Sequence, residues 1–190
     1  MMRKNVLNVM LMVLLLSLCS IHAVPISSGL VLQLDGTDAT TQDVGGTTVV
    51  NSWNDQSGRD NDFKQTLDTE MPKLISGGLN GYDTLAFDGV TGSDDVLQLS
   101  ASVAGDLNPG TGGMTVFMVM KLNALTANSY IFRKGNYVSS ADQGWSVWLT
   151  TSDRIVSRLN SDDINDDAHK AGQTITITDL VGKFFIYSMV

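Results

Sequence analysis

Cysteine, histidine and glutamate are nearly missing from this sequence. It has one cysteine, Cys19, one glutamate, Glu70, and two histidines, of which only His169 lies beyond the first 23 residues. If Cys19 leaves with an N-terminal signal, disulfides, thiolate metal sites and a cysteine nucleophile are excluded together. A Ser-His-Asp triad needs a histidine base. His169 sits in Asp166-Asp167-Ala168-His169-Lys170 without any nucleophile elbow elsewhere, so it reads as a solvated surface residue. Basic residues are also scarce: 12 lysines and arginines face 20 acids, for a net charge of −8. Without Arg3 and Lys4 the balance falls to 10 against 20, a surface that repels nucleic acid and anionic lipid.

The acid that is abundant is aspartate, which is poor in helices and frequent in turns, where its short carboxylate takes nearby backbone amides. The start of the chain differs from everything after it. Met1-Met2-Arg3-Lys4 is a basic opening, and Val6 to Leu18 is apolar except for Asn8 and Ser17, the n- and h-regions of a signal peptide. The run is too short to cross a bilayer, which needs roughly 20 apolar residues. Cleavage is expected after Ala23, giving a signal-peptide helix at 1–23 and one domain at 24–190, with no transmembrane span in the mature chain. Leu16-Ser17-Leu18-Cys19 resembles a lipobox, but Leu18 is bulky for the position before a lipidated cysteine.

Beyond residue 24, short apolar runs alternate with turn residues. Leu30, Leu32 and Leu34 share one face at the two-residue period of a strand, with Asp35-Gly36 as its closing turn. Further strands are expected at Thr47 to Trp53, Thr84 to Phe87, Val96 to Leu99, Thr115 to Leu122, Ser129 to Phe132, Trp145 to Thr150, Arg154 to Leu159, Gln173 to Thr178 and Phe184 to Val190. Turn signals such as Asn80-Gly81, Asp88-Gly89 and Lys134-Gly135-Asn136 separate them. Ser102 to Leu107 is read as one helical turn. The pattern predicts an all-β fold, a two-sheet antiparallel jelly-roll sandwich. Because Phe184 to Val190 is an apolar strand without a closing turn, the domain is expected to be incomplete.

Gly29-Leu-Val-Leu-Gln-Leu-Asp35, Val50-Asn-Ser-Trp53-Asn-Asp55-Gln-Ser57-Gly58, Asn61-Asp62-Phe63, Pro72 and Asn80-Gly81 through Thr84-Leu-Ala-Phe87-Asp88-Gly89 occur in an order that resembles laminin G-like jelly-roll modules of the concanavalin A-like lectin/glucanase superfamily. Thr115 to Met120, Gly144 to Trp148 and Phe184 to Val190 sit where that family has core strands. The resemblance covers most of residues 28 to 190. It implies a secreted or cell-surface module that binds carbohydrate or protein, sometimes with calcium, and a further strand past Val190. One such fold hosts many functions. Retaining glucanases of the superfamily carry alternating acids on one strand, whereas glycoside hydrolysis needs a carboxylate pair and here Glu70 has no such neighbours. A non-catalytic role follows.

Aromatic faces pack on pyranose rings, and the carbohydrate-binding candidates are Trp145, Tyr137 and Tyr82, with Tyr130 a comparable residue near a turn signal. Trp145 and Trp148, three apart, point to opposite sides of a strand; one of them, and Trp53, are expected in the core. Two acidic loops offer the oxygens calcium takes, with candidate ligands Asp55, Asp60 and Asp62 in the first and Asp162, Asp163 and Asp166 in the second. Neither has EF-hand spacing, and both also read as charged turns. Gly110-Thr111-Gly112-Gly113 lacks the lysine and helix of a phosphate loop. The expected partner is a polysaccharide or cell-surface glycan. A structural or adhesion domain binding another surface protein, or an accessory domain of a polysaccharide-degrading enzyme, are the alternatives.

Overall fold

The computed structural model describes residues 28–89, 94–99, 107–108, 113–124, 129–134, 144–150, 154–160 and 175–190. The proposed signal at 1–23, the Ser102 helical turn up to residue 106, and Gly110 to Gly112 lie outside the described residues. Residues 28–30 belong to a separate N-terminal unit and form a turn at Gly29, whose φ of 76° is left-handed.

The second unit, Val31–Val190, is all-β, and every strand pair is antiparallel. Its strands are β1 (Leu34–Val44), β2 (Thr47–Asp55), β3 (Phe63–Lys64), β4 (Lys73–Leu79), β5 (Tyr82–Ala86), β6 (Gln98–Leu99), β7 (Val116–Lys121), β8 (Tyr130–Lys134), β9 (Gly144–Leu149), β10 (Arg154–Asn160), β11 (Ile175–Thr176) and β12 (Phe184–Met189). One sheet runs β5-β4-β2-β3-β6 with β1 also on β2; a four-stranded sheet runs β11-β10-β9-β8; β12 and β7 form a ribbon.

Local chemistry explains the hairpins. Gly45 and Gly46 take φ of 60° and 83° between β1 and β2, the pair of left-handed residues that a tight two-residue turn needs. Asp43 Oδ1 accepts the Gly46 N–H at 3.1 Å. Asn80 and Gly81, at φ 52° and 89°, do the same between β4 and β5, as their sequence predicts.

The start of the first sheet departs from expectation. The apolar run at Leu30 to Leu34 is largely unpaired, and β1 is the polar segment that follows it. Asp35-Gly36 does not end a strand: it lies in a register shift between Leu34 and Ala39 within β1. Gly36 is buried there because β1 passes over β5, and a Cβ would collide with the Asp83 carbonyl. The Lys73 to Leu79 strand carries Gly77 and Gly78 and so lacked a strand-like pattern.

The core is where β9 and β10 face the ribbon. Val147, Leu149, Ile155, Ile177 and Tyr187 are buried, and Met118, Met120, Leu122, Ile131, Leu180, Phe185 and Met189 pack on them. Both β7 and β12 alternate inward and outward, as a half-buried strand should. Fully enclosing a side chain such as Ile155 contributes roughly 1.5–3 kcal/mol. The other face of the ribbon stays open, with Phe117, Val119 and Ile186 exposed at 71%, 60% and 73%.

Candidate functional site

Alternation along β9 puts Trp145, Val147 and Leu149 on one side and Ser146 and Trp148 on the other. Val147 and Leu149 join the core, so Trp145 is inward. It is 3% exposed, donates its indole N–H to the Leu107 carbonyl at 3.0 Å, and stacks on Phe132 with centroids 4.8 Å apart and planes 5° from parallel. Phe132 meets Phe63 of β3 edge-on at 5.4 Å, so these rings tie the four-stranded sheet to the six-stranded one. Trp145 therefore offers no ring face to a sugar. Of the two β9 tryptophans it is the core residue, and Trp148 is the one turned outward.

A bulge completes the outer face. β8 pairs Tyr130 with Trp148 but Phe132 with Val147, so Ile131 is an extra residue. Such an insertion re-aims the side chains around it. Ile131 and Phe132 both go inward, while Tyr130 and Arg133, three apart, come to the same side. The Arg133 guanidinium lies 4.8 Å over the Tyr130 ring, a cation–π contact that keeps both in place. Tyr130 is 51% exposed and tilts toward Trp148 at 6.4 Å.

The register sets these residues in rows across the strands. Arg133, Ser146 and Arg158 are backbone partners in one row; Tyr130, Trp148 and Val156 in the next; Arg154 pairs with Thr176 in the third. Lys134 belongs to the opposite side, opposite Trp145. Burial pushes its ammonium below the usual range, and Nζ donates to Asn108 Oδ1.

The other candidates are placed as follows. Tyr82 is 63% exposed at the β4–β5 hairpin, on a different sheet from Tyr130 and Trp148. Tyr137, Asp162, Asp163, Asp166 and His169 lie outside the described residues. Trp53 is partly buried in β2 and donates Nε1–H to the Asp35 carbonyl at 2.8 Å.

The first acidic loop closes on itself. Asp55 Oδ1 accepts the N–H groups of Gln33 and Ser57, each at 2.9 Å. Its Oδ2 accepts the Ser57 hydroxyl at 2.7 Å and the Asn61 N–H at 3.1 Å. Burial by itself would raise the Asp55 pKa, but the Ser57 hydroxyl and the three amides together favour the carboxylate, so its pKa lies below the ordinary 3.8. Asp62 Oδ1 takes the Asp55 N–H at 3.0 Å, and its Oδ2 is 3.4 Å from Lys64. Asp60 is exposed at a φ of 57°. Four donors saturate the Asp55 oxygens, so the loop does not gather Asp55, Asp60 and Asp62 into a ligand set. No group of three or more His, Cys, Asp or Glu suited to a metal occurs among the described residues.

No helix among the described residues is long and apolar enough to cross a membrane. No protein-family model matches the chain, and neither a curated protein nor a solved structure matches it.

Proposed function

We propose that this chain is a secreted or cell-surface binding module for carbohydrate, non-catalytic, built as a jelly roll of the concanavalin A-like kind and exported by the signal at residues 1–23. The observation that carries the reading is the outward pair of an exposed Tyr130 and a half-buried Trp148, with Arg133 laid over Tyr130, on an antiparallel sheet whose Ser146 on the same side is buried. Rings held by a rigid sheet lose little freedom on binding, and an adjacent guanidinium supplies directed donors for hydroxyls or acids.

The test is a glycan array probed with the purified protein in calcium and again in EDTA, after cooperative unfolding has been established. Signal on a defined sugar class, lost in Trp148→Ala and Tyr130→Ala, supports the reading. Signal that needs calcium would assign an ion to the protein, and substitution of Asp162, Asp163 and Asp166 would test the second acidic loop as its place. Silence from folded protein in both conditions sinks the carbohydrate reading.

The exposed ribbon face of Phe117, Val119 and Ile186 favours a second reading, an adhesion or structural domain that binds another surface protein. Exposed apolar patches of this kind mark protein contacts. Substituting Val119 and Ile186 by threonine separates the two: a protein partner is lost, whereas glycan binding is unchanged.

A further inference from the structure

We infer that the saccharide taken by the outer face of β8, β9 and β10 is anionic, its carboxylate or sulfate groups held by Arg133 and Arg154 in the rows on either side of the Tyr130–Trp148 row. This rests on the carbohydrate-binding reading above.

Charge placement is the first argument. The chain has 20 acids and 12 bases, yet β8, β9, β10 and β11 read YIFRK, GWSVWL, RIVSRLN and IT, with no acid among them. Three of the chain's arginines, Arg133, Arg154 and Arg158, stand in these strands. A chain this acidic would neutralise a structural arginine easily. The one ion pair among the described residues is instead Lys64–Asp62, on the other sheet. Arg133 and Arg154 are both exposed, without a carboxylate partner among the described residues.

Register is the second argument. Arg133 lies in the row on one side of Trp148, and Arg154 in the row on the other. Rows of like-facing residues are about 6.7 Å apart along a strand, so the two arginines bracket the rings over about 13 Å. Arg158 stands opposite Ser146, two strands from Arg133, a Cα separation of about 10 Å. A sugar ring lying on Trp148 beside Tyr130 meets the Arg133 guanidinium over Tyr130 at one side and has Arg154 one row further along the strands at the other. Stacking on Tyr130 occupies a face of the Arg133 guanidinium and leaves its edge donors, which match carboxylate and sulfate oxygens in bidentate fashion.

A single-stranded nucleic acid also uses stacking and cations, but it carries a phosphate at every unit against a net charge of −8. That long-range repulsion acts on a polyuronate or a sulfated glucan as well, so the oligothymidylate arm of the test below separates the two ligands.

The test uses the full chain and calorimetric titration with a neutral glucan, a polyuronate, a sulfated glucan and an oligothymidylate of similar length. Variants are Arg133→Gln, Arg154→Gln, their combination, Arg133→Lys, and Lys64→Gln on the other sheet as control. Binding is expected for the polyuronate or the sulfated glucan. The double variant should weaken it at least tenfold with an unchanged melting temperature, Arg133→Lys should give a smaller loss, and higher salt should weaken it. The polyuronate and sulfated arms distinguish the two acid groups. Equal binding of the neutral glucan, indifferent to salt and to both arginines, overturns the anionic inference and leaves the carbohydrate reading standing. Binding of none of the saccharides by folded protein removes both. Arginine-dependent binding of the oligothymidylate alone overturns the saccharide assignment in favour of nucleic acid.

Discussion

Replacing Asp55 tests whether the first acidic loop is held by its own hydrogen bonds or by an ion. Asp55→Ala removes the acceptor of four donors. The Asn61 N–H is buried and is stranded, at about 1–3 kcal/mol, while the three donors nearer solvent lose about 0.5–1.5 kcal/mol each. The sum is about 2.5–7.5 kcal/mol, a large part of the roughly 5–15 kcal/mol available to a domain. Asp55→Asn keeps the shape but turns an amino group toward two of the donors, and about half that loss is expected. Urea unfolding followed by tryptophan fluorescence reads both. At a slope of about 2 kcal/mol per molar the alanine variant unfolds about 1–4 M earlier. EDTA should leave the wild-type midpoint where it is. An asparagine variant within about 0.5 M of wild type, or a wild type that EDTA destabilises as much as the alanine substitution does, would refute the reasoning. The lowered Asp55 pKa adds a sign: its contribution is present above the ordinary 3.8 and is lost as pH falls through the lower folded value.

Gly36→Ala drives a Cβ into the Asp83 carbonyl; because the obstacle is backbone, a loss near or above the usual 1–3 kcal/mol of overpacking is expected in the same urea assay. Trp145→Phe should lower the melting temperature, since it deletes the indole bond to Leu107, whereas Trp148→Phe should leave it nearly unchanged. Asp95 has a raised pKa, from burial first and then from the charges of Asp88 and Asp94, opposed by the Asp88 N–H. The folded state therefore resists its ionisation, and stability declines as pH rises through 3.8 toward the folded value. Asp95→Asn should melt higher than wild type at pH 7 and like wild type at pH 3.

What was legible in the chain and what was not divide along physical lines. The strands at Val116 to Lys121, Gly144 to Leu149 and Phe184 to Met189 were readable as short, mostly apolar runs between turn residues. The turn at Asn80-Gly81 depends on residues that accept positive φ, a local property; the Gly45-Gly46 turn has the same chemistry and was not singled out. The polar β1 was not readable, because its place is set by pairing with β2 and by the close pass over Asp83. Parity separated Trp145 from Trp148, but the inward one is chosen by the neighbours of Val147 and Leu149, which are distant in sequence. The Tyr130–Arg133 pairing was hidden by the bulge at Ile131: strict alternation puts residues three apart on opposite faces. The arginine rows depend in addition on how β8 and β10 flank β9.

The ribbon has a bearing on the order in which the chain acquires structure. Phe184 pairs with Lys121 and Met189 with Val116, so β7 is synthesised before β8 to β11 and finds its partner only after all of them. Closing so long a loop is entropically slow. In that interval Met118 and Met120 have no β12 beside them, and Phe117 and Val119 have no cover on either side. The ribbon is therefore the last pairing the chain completes, although its inner side belongs to the core.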